Sequence, residues 1–178
     1  KACRDNKIIF IGPSPETIQL LGNKINAKKL CMKIGVPTVP AETENVTPAV
    51  VKKFGLPALL KAAAGGGGRG MRVVRNAKDA KRLFAQAASE AKSAFGDDTL
   101  FVERFIPRSR HIEVQILGAR KGSMHLGARE CSIQRRHQKL VEESPPPTLP
   151  PEKIRQICDD AVKIANAAGY LNAGTVEF

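Results

Sequence analysis

Aromatic side chains are scarce in this chain of 178 residues, which has no tryptophan, one tyrosine and seven phenylalanines. Proteins that bind single-stranded nucleic acids use aromatic rings as platforms on which bases stack. The chain also has no apolar run near the roughly 18 residues that a membrane-spanning helix needs. These two scarcities argue against a base-stacking platform and against a membrane protein.

The cysteines are few and form neither a CxxC pair nor a dense framework. Spacing of this kind is typical of reduced thiols with structural roles. We therefore expect a cytoplasmic protein, or one of the mitochondrial matrix if the source is eukaryotic. The four cysteines are Cys3, Cys31, Cys131 and Cys158.

Acidic residues are outnumbered by basic ones. The chain has 17 Asp and Glu residues against 29 Lys and Arg residues, which gives a formal net charge of +12. Such a surplus permits a nucleic-acid partner. The basic residues never form a run of five or six, however, so an anionic small molecule, phosphate above all, accounts for them equally well. A basic nucleic-acid-binding module stays open as an alternative.

Strands and helices are predicted in mixed order, without strict alternation, which favours the α+β class. The apolar run Ile8–Ile11 predicts a buried strand, and the polar stretch 40–48 predicts a connector at a domain boundary. The other predicted strands are 56–62, 71–74, 100–105, 111–117, 123–127, part of 131–141, and 174–178. The predicted helices are 16–21, 23–34, 48–54, 76–94 and 150–168.

The segment 65–70 contains five glycines among its six residues, and Lys61 ends the strand before it. Glycine amides can converge on an anion and adopt positive φ. A Walker A loop has its lysine after the glycines, and a Rossmann loop opens a helix, whereas a strand follows here. The pattern therefore favours a phosphate-binding hairpin over a flexible linker.

A second polar segment, 129–139, is dense in hydrogen-bond donors. Donors in this number can hold an anionic substrate and offset charge in a transition state. The alternative is a solvated edge strand, because lysine and arginine protect sheet edges from pairing. The sequence leaves both interpretations open.

The carboxylates are few and lie near the ends of predicted strands, at Glu103, Glu113 and Glu177. Glu177 stands between Val176 and Phe178 in an otherwise apolar strand, where a carboxylate is costly unless it is paired or binds a cation. Nucleoside triphosphate chemistry requires magnesium, which takes oxygen ligands. We therefore expect Glu177 to be a metal ligand.

Five segments carry a family resemblance, namely residues 10–15, 61–74, 110–115, 131–139 and 174–178. Together they resemble the biotin carboxylase family of the ATP-grasp superfamily. Ser132–Lys139 carries the family likeness, whereas the glycine hairpin alone indicates only ATP-grasp. The resemblance implies an ATP-grasp fold with a complete lid domain, a partial antiparallel-sheet catalytic domain and the last strand of an N-terminal Rossmann-like domain.

The domain boundaries implied by the resemblance are the end of the Rossmann-like domain at 1–12, a helical linker at 13–40, the lid at 41–105 and the catalytic domain at 106–178. We expect the chain to be a piece of a longer protein and to be inactive alone. The second magnesium-binding glutamate and the catalytic arginine of the family are expected beyond Phe178.

The implied reaction has two steps. ATP and bicarbonate give carboxyphosphate and ADP, and the carboxyl group then passes to N1′ of biotin on a carrier protein. The cofactors implied are ATP and Mg²⁺ or Mn²⁺, with carrier-bound biotin as substrate. The partners implied are a biotinylated carrier and a carboxyltransferase, in a homo-oligomer, with neither nucleic acid nor membrane. Another ATP-grasp ligase such as a carbamoyl-phosphate synthetase, or a regulatory nucleotide-binding domain, is the alternative.

The residues that resemble the family's phosphate-binding groups are Lys24 and Lys61, with Gly67 and Gly68 as glycines of the lid. A segment at the end of a predicted strand resembles the part that reads adenine, largely through backbone groups. Its residues are Glu103, Arg104, Phe105 and Ile106.

The remaining implied site residues follow in chain order. His111, Gln134 and His137 resemble nucleotide-contacting residues, and His137 and Lys139 are expected to be catalytic. Lys139 resembles the lysine that binds bicarbonate, and Glu177 resembles the first of two magnesium-binding glutamates.

The chain departs from the family pattern at two positions. The family usually has Glu-Arg-Asp-Cys-Ser, whereas this chain has Ala128-Arg-Glu130-Cys-Ser. The pair of changes moves a carboxylate near the strand that carries the donor-rich segment.

Overall fold

The computed structural model describes residues 2–66, 68–136 and 138–178. These residues form two compact units. Unit 1 comprises residues 2–21, Leu30–Val36 and Arg110–Phe178, and unit 2 comprises Gly22–Lys29 and Pro37–Ser109. Among the described residues, no helix combines the length and the apolarity needed to cross a lipid bilayer.

The helices are α1 (Ala2–Asp5), α2 (Pro15–Gly22), α3 (Lys24–Lys33), α4 (Pro48–Phe54), α5 (Ala80–Phe95) and α6 (Pro151–Ala167), with a 3₁₀ turn at Ala77–Asp79. The strands are β1 (Ala41–Glu42), β2 (Ala58–Ala62), β3 (Arg72–Val74), β4 (Leu100–Arg104), β5 (Ile112–Ala119), β6 (Gly122–Arg135), β7 (Gln138–Glu143) and β8 (Asn172–Glu177).

Unit 2 contains an antiparallel sheet in the order β1-β4-β2-β3. The strands β2 and β3 form the hairpin predicted around the glycines, with Leu59 opposite Val73. Alternate residues of β2 point into the core, where Leu60 is fully buried with Val51 and Val102. The hairpin is therefore anchored by apolar burial on one face, which leaves Lys61 on the other face of β2.

Unit 1 contains a second antiparallel sheet in the order β7-β6-β5-β8. The helix α6 begins after Pro150 with Pro151 in its first turn, where a missing N–H costs nothing. Its apolar face packs on β5, so that Val114 and Ile116 are buried with Ala161. The strand β5 lies between β6 and β8, and it presents polar residues on the face opposite α6.

The structure differs from the sequence-based prediction at residues 8–11. This segment forms no strand, and Ile9 is 91% exposed. A strand needs a hydrogen-bonded neighbour for its backbone groups, and no described strand pairs with this segment. Apolar content alone therefore predicted a strand that has no partner here.

Two smaller differences follow from pairing. The predicted connector 40–48 contains the short strand β1, because Ala41 pairs with Glu103. The two strands predicted within 123–141 are instead one long strand, β6, followed by β7. The register of β6 shifts against both neighbouring strands. Such irregularities break the alternation of apolar and polar residues although the strand itself continues.

Leu60→Ala is expected to lower the free energy of unfolding by about 2–5 kcal/mol, because a large side chain removed from a packed core leaves a cavity. Leu60 has no exposed surface. The matched control is Ile9→Ala, which should change the stability by less than about 0.5 kcal/mol because Ile9 is on the surface. Urea titrations followed by circular dichroism measure both. Equal midpoints for the two variants would contradict this account of the core.

Candidate functional site

Unit 2 contains a buried carboxylate between two lysines. Glu103 is 6% exposed, and its Oε1 lies 2.7 Å from Nζ of Lys61 while its Oε2 lies 3.1 Å from Nζ of Lys28. Lys61 and Glu103 are diagonal neighbours on β2 and β4, because Leu59 is the residue directly opposite Glu103. Two ammonium groups on one carboxylate leave a net positive charge that can attract an anion.

Lys24 lies at the start of α3 and reaches the glycine segment. The Oδ1 atom of Asn23 accepts hydrogen bonds from the second and third amides after it, at 3.0 and 3.1 Å, so Asn23 caps the helix. Lys24 Nζ donates to the carbonyl of Ala62 at 3.5 Å and to that of Gly65. The lysines Lys24 and Lys28 are one turn apart and share a helix face.

The glycine segment has the backbone conformation that its sequence predicts. Gly65, Gly68 and Gly70 have φ of 75°, 74° and 67°, which side chains rarely tolerate. A Cβ atom at Gly70 would also meet Ala62 Cβ at 2.9 Å. Gly67, a predicted lid glycine, lies outside the described residues. Glycine is therefore required here for both conformation and space.

The predicted adenine-reading segment comprises the last two residues of β4 and the two residues that follow them. The N–H of Arg104 donates to Pro40 O at 3.0 Å, and the N–H of Phe105 donates to Pro57 O at 3.4 Å. Ile106 is exposed, and the guanidinium of Arg75 lies 5.0 Å from the centroid of the Phe105 ring. Because these two amides already donate within the protein, a base at this segment must be read by other groups.

Unit 1 holds a second buried carboxylate between two cations. The side chain of Glu113 is 3% exposed and lies on β5, directly opposite Arg129 of β6 and Glu177 of β8. Its Oε1 accepts from Nε of Arg129 at 2.8 Å and also from a terminal guanidinium nitrogen. Its Oε2 accepts from Nζ of Lys139. The charge of Glu113 is thus compensated on both oxygens.

The protonation states in this cluster follow from those contacts. Burial raises the pKa of Glu113, but hydrogen bonds from Lys139 and Arg129 outweigh burial and bring the pKa below its ordinary value. The hydrogen bond to Glu113 raises the pKa of Lys139. Lys139 is therefore an ammonium group at neutral pH, suited to bind an anion and unsuited to act as a base.

His111 connects Gln134 with Glu177. Nε2 of Gln134 donates to Nδ1 of His111 at 2.8 Å and to Cys131 O at 2.8 Å. The proton of the ring then lies on Nε2, which is 3.3 Å from Oε1 of Glu177. That contact lies outside hydrogen-bond geometry, so this buried nitrogen has no hydrogen-bond acceptor in the described part of the chain.

The donor atoms fit a magnesium ion at Glu177. Ligand atoms of His111, Glu113 and Glu177 lie within 4.8 Å of one another. Both oxygens of Glu113 are occupied by cations, so Glu113 would have to give up an ion pair to bind metal. The side chain of Glu177 is 58% exposed and contacts Lys139 Nζ only at 3.5 Å. One carboxylate, with phosphate oxygens and water, is a usual magnesium ligand set.

The predicted site residues form two groups in the structure. The predicted residues His111, Gln134, Lys139 and Glu177 meet in unit 1. In unit 2, Lys61 pairs with Glu103, and Lys24 reaches the carbonyls of Ala62 and Gly65. His137 lies outside the described residues, so its predicted role stays a prediction.

Three residues were given no role in the sequence-based prediction, namely Lys28, Glu113 and Arg129. Lys28 follows Lys24 at helical spacing, which was an available signal. Glu113 was noted only as a carboxylate near a strand end, and Arg129 only as one donor of a rich segment. Their pairing depends on the register of β5 and β6, which no local pattern shows.

Comparisons with known proteins identify the fold and the family of the chain. The fold is that of an ATP-grasp protein, as its solved structural neighbours show. Residues 23–178 match the family described as carbamoyl-phosphate synthase L chain, ATP binding domain, and the chain belongs to that family.

Individual relatives are more specific. The chain is 51% identical over 176 residues to pyruvate carboxylase of Schizosaccharomyces pombe, which covers 95% of the chain and 15% of that protein. It superposes with a TM-score of 0.94 and 46% identity on a Campylobacter jejuni biotin carboxylase–β,γ-ATP complex, over 99% of the chain and 41% of the other.

A third relative is the biotin carboxylase domain of Hydrogenobacter thermophilus 2-oxoglutarate carboxylase, solved with MgADP, ADP and bicarbonate. Its TM-score is 0.92 at 44% identity, over 99% of the chain and 40% of the other. The chain spans about 15% of the length of the curated relatives it matches. The predicted α+β class and ATP-grasp fold are confirmed.

Glu113→Gln is expected to destabilise the protein by about 1–3 kcal/mol at pH 7, because two cations lose their shared carboxylate. The pKa of Glu113 is lowered on folding from about 4.5, so its stabilisation is full above that value and lost as the pH falls through the folded-state pKa. The difference between variant and wild type should therefore shrink below about pH 4.5.

Thermal unfolding monitored at several pH values between 7 and 3 measures this difference. The control is Glu44→Gln, which removes an exposed partner of Lys29 and should leave the stability at pH 7 nearly unchanged, because exposed ion pairs contribute little. A gap between wild type and Glu113→Gln that stays constant across this pH range would contradict the assignment.

Proposed function

We propose that this chain is the ATP-binding region of a biotin carboxylase. In that reaction MgATP and bicarbonate form carboxyphosphate and ADP, and the carboxyl group is transferred to N1′ of biotin on a carrier protein. The observation that carries the proposal is the ammonium group of Lys139, held by buried Glu113 and near Glu177 on the same sheet. A relative with the same fold has been solved with MgADP and bicarbonate.

The phosphate groups of ATP are assigned to unit 2. Lys24 reaches the glycine segment. The charge of Lys61 is only partly compensated, because Glu103 also pairs with Lys28. Such donors stabilise the negative charge that spreads over the phosphoryl oxygens during transfer. Phosphoryl transfer depends mainly on positioning and charge compensation. The proposed contribution of the lysines is therefore to position the phosphate groups and to compensate their charge.

Bicarbonate is assigned to Lys139. Because Glu113 raises the pKa of this lysine, its ammonium stays protonated and attracts the anion. Arg129 contacts the other oxygen of Glu113, and its Nε lies 3.5 Å from Glu142 Oε2, so the arginine is held mainly by protein carboxylates. Lys139 is thus the more available cation for a substrate oxygen that attacks the terminal phosphorus.

Magnesium is assigned to Glu177, with manganese as an alternative. When bound, the ion would compensate charge on the phosphate oxygens. The contribution of the chain is to hold the carboxylate of Glu177 near His111 Nε2 and Lys139 Nζ, at 3.3 and 3.5 Å. The adjacent buried nitrogen of His111 can donate to a nucleotide oxygen, since it has no acceptor among the described residues.

The partners and the cellular location follow from the proposed reaction. A biotinylated carrier and a carboxyltransferase are required to complete it, and we propose that the full-length protein forms a homo-oligomer in the cytosol or mitochondrial matrix. The relatives are named for two acceptors, pyruvate and 2-oxoglutarate. A transfer assay of the full-length protein with each acid identifies the acceptor.

Substitution of two lysines separates the proposed roles. In the full-length protein, Lys61→Ala should raise the KM for ATP by about 10- to 100-fold, because a charged hydrogen bond to phosphate is lost. Lys139→Ala should instead raise the KM for bicarbonate or lower kcat, with a smaller change in ATP binding. ADP release is measured with and without bicarbonate and biotin.

The matched control for both is Lys29→Ala, which removes an exposed lysine paired with Glu44 and should leave both KM values within about twofold. ATP cleavage that depends on ammonia instead of bicarbonate would favour a carbamoyl-phosphate synthetase. Equal loss of a salt-sensitive affinity for RNA in both variants would favour the basic nucleic-acid module.

Glu177→Gln should raise the Mg²⁺ concentration needed for half-maximal ATP cleavage by about tenfold or more, because an amide oxygen carries no charge to bind the ion. The comparison is Glu142→Gln, which alters a carboxylate of the same cluster without touching Glu177 and should leave the magnesium requirement nearly unchanged. Magnesium titrations at saturating ATP measure both, and equal shifts would argue against Glu177 as the ligand.

A further inference from the structure

Glu130 is a buried carboxylate of unit 1 to which the proposed function gives no role. Glu130 lies on β6 and is 6% exposed. Its Oε1 accepts from Ser132 Oγ at 2.9 Å and from a guanidinium nitrogen of Arg110 at 3.1 Å, and its Oε2 accepts from Thr148 Oγ1. Both oxygens are thus occupied by three donors, and two of these come from other segments of the chain.

Ser132 connects Glu130 with His111, a residue of the candidate site. A serine hydroxyl has one proton to donate and lone pairs to accept. Ser132 donates that proton to Glu130 and accepts the backbone N–H of His111 at 3.0 Å. The N–H of Cys131 donates to the carbonyl of His111 at 2.8 Å. The backbone of His111 is therefore held on both its polar groups by β6.

The side chain of His111 continues the series of contacts. Its Nδ1 accepts from Gln134 at 2.8 Å, and its Nε2 lies 3.3 Å from the carboxylate of Glu177. A hydroxyl whose proton has a fixed acceptor has a fixed lone pair direction, whereas a free hydroxyl rotates. The orientation of His111 therefore depends on an acceptor for the Ser132 proton, and Glu130 is that acceptor.

We propose that Glu130 is a positioning residue which acts through Ser132 to orient His111 for nucleotide binding next to Glu177. The role of His111 in nucleotide binding rests on the proposed function. Glu130 does not reach the nucleotide in this arrangement, since its oxygens are occupied within the protein. Its substitution should weaken ATP binding without removing a group that contacts ATP.

The test uses the full-length protein and a double-mutant cycle. Glu130→Ala and Ser132→Ala should each raise the Kd for MgATP by about three- to tenfold, because each disrupts one hydrogen-bonded series. The double variant should be no weaker than the weaker single variant, since both act through the same contact. Isothermal titration calorimetry with MgATP measures all three.

Two conservative variants and one control separate positioning from general stability. Glu130→Gln retains an acceptor oxygen and Ser132→Thr retains the hydroxyl. Each of these variants should bind MgATP with a Kd within about twofold of the wild-type value. Thr148→Val removes another hydrogen bond to Glu130 and leaves the Ser132 contact, so it should lower the Tm with little change in Kd. If Glu130→Ala does not fold, the comparison of Ser132→Ala with Ser132→Thr decides the matter.

Hydrogen exchange supplies a readout that does not require ATP. The amide of His111 should exchange faster in Glu130→Ala as well as in Ser132→Ala, because loss of the acceptor loosens the hydroxyl that protects it. Independent, multiplicative effects on Kd, or unchanged Kd and exchange in folded Glu130→Ala, would overturn the proposal. A wild-type protein that binds no MgATP would overturn the proposed function instead, and exchange at His111 would still decide whether Glu130 orients that residue.

Discussion

The buried carboxylate of Glu113 is the constraint on which the polar face of unit 1 depends. A lone carboxylate at the centre of a sheet would be expensive to desolvate, so its position requires cations. Arg129 from β6 and Lys139 from β7 supply them, and Glu177 stands on the neighbouring strand β8. One acidic residue thereby holds cations from two other strands of the sheet, and the contact with Lys139 keeps that lysine protonated.

Unit 2 uses the same arrangement with different residues. Glu103 is buried between Lys28 and Lys61, and the pair of lysines outweighs its charge. In both units a buried carboxylate holds two cations in place. The surplus is positive in unit 2, whereas in unit 1 Glu142 and Glu177 also approach the two cations. Both clusters are preorganised, because cations that are fixed before binding need little rearrangement when an anion binds.

Local patterns predicted most of the elements that carry these groups. The alternation in 111–117 indicated β5, the glycines between two apolar segments indicated the β2–β3 hairpin, and the prolines before α6 marked its start. The prediction of a strand at 8–11 was wrong, because apolar residues form a strand only where a neighbouring strand supplies hydrogen bonds. The short strand β1 was missed because two residues carry no periodic signal.

Residue types and their spacing are enough to give the chemical groups and the backbone requirements. These are lysines flanking glycines that need positive φ, a donor-rich strand, and a carboxylate in an apolar context. The segment Ser132–Lys139 also carries the family likeness. Which charges meet depends on the folded sheet. Glu113 and Lys139 are far apart in the chain, and their contact depends on the register of β5, β6 and β7. A shift of one residue in register turns every side chain to the other face, so pairing of charges is a property of the folded sheet and cannot be read from residue order alone.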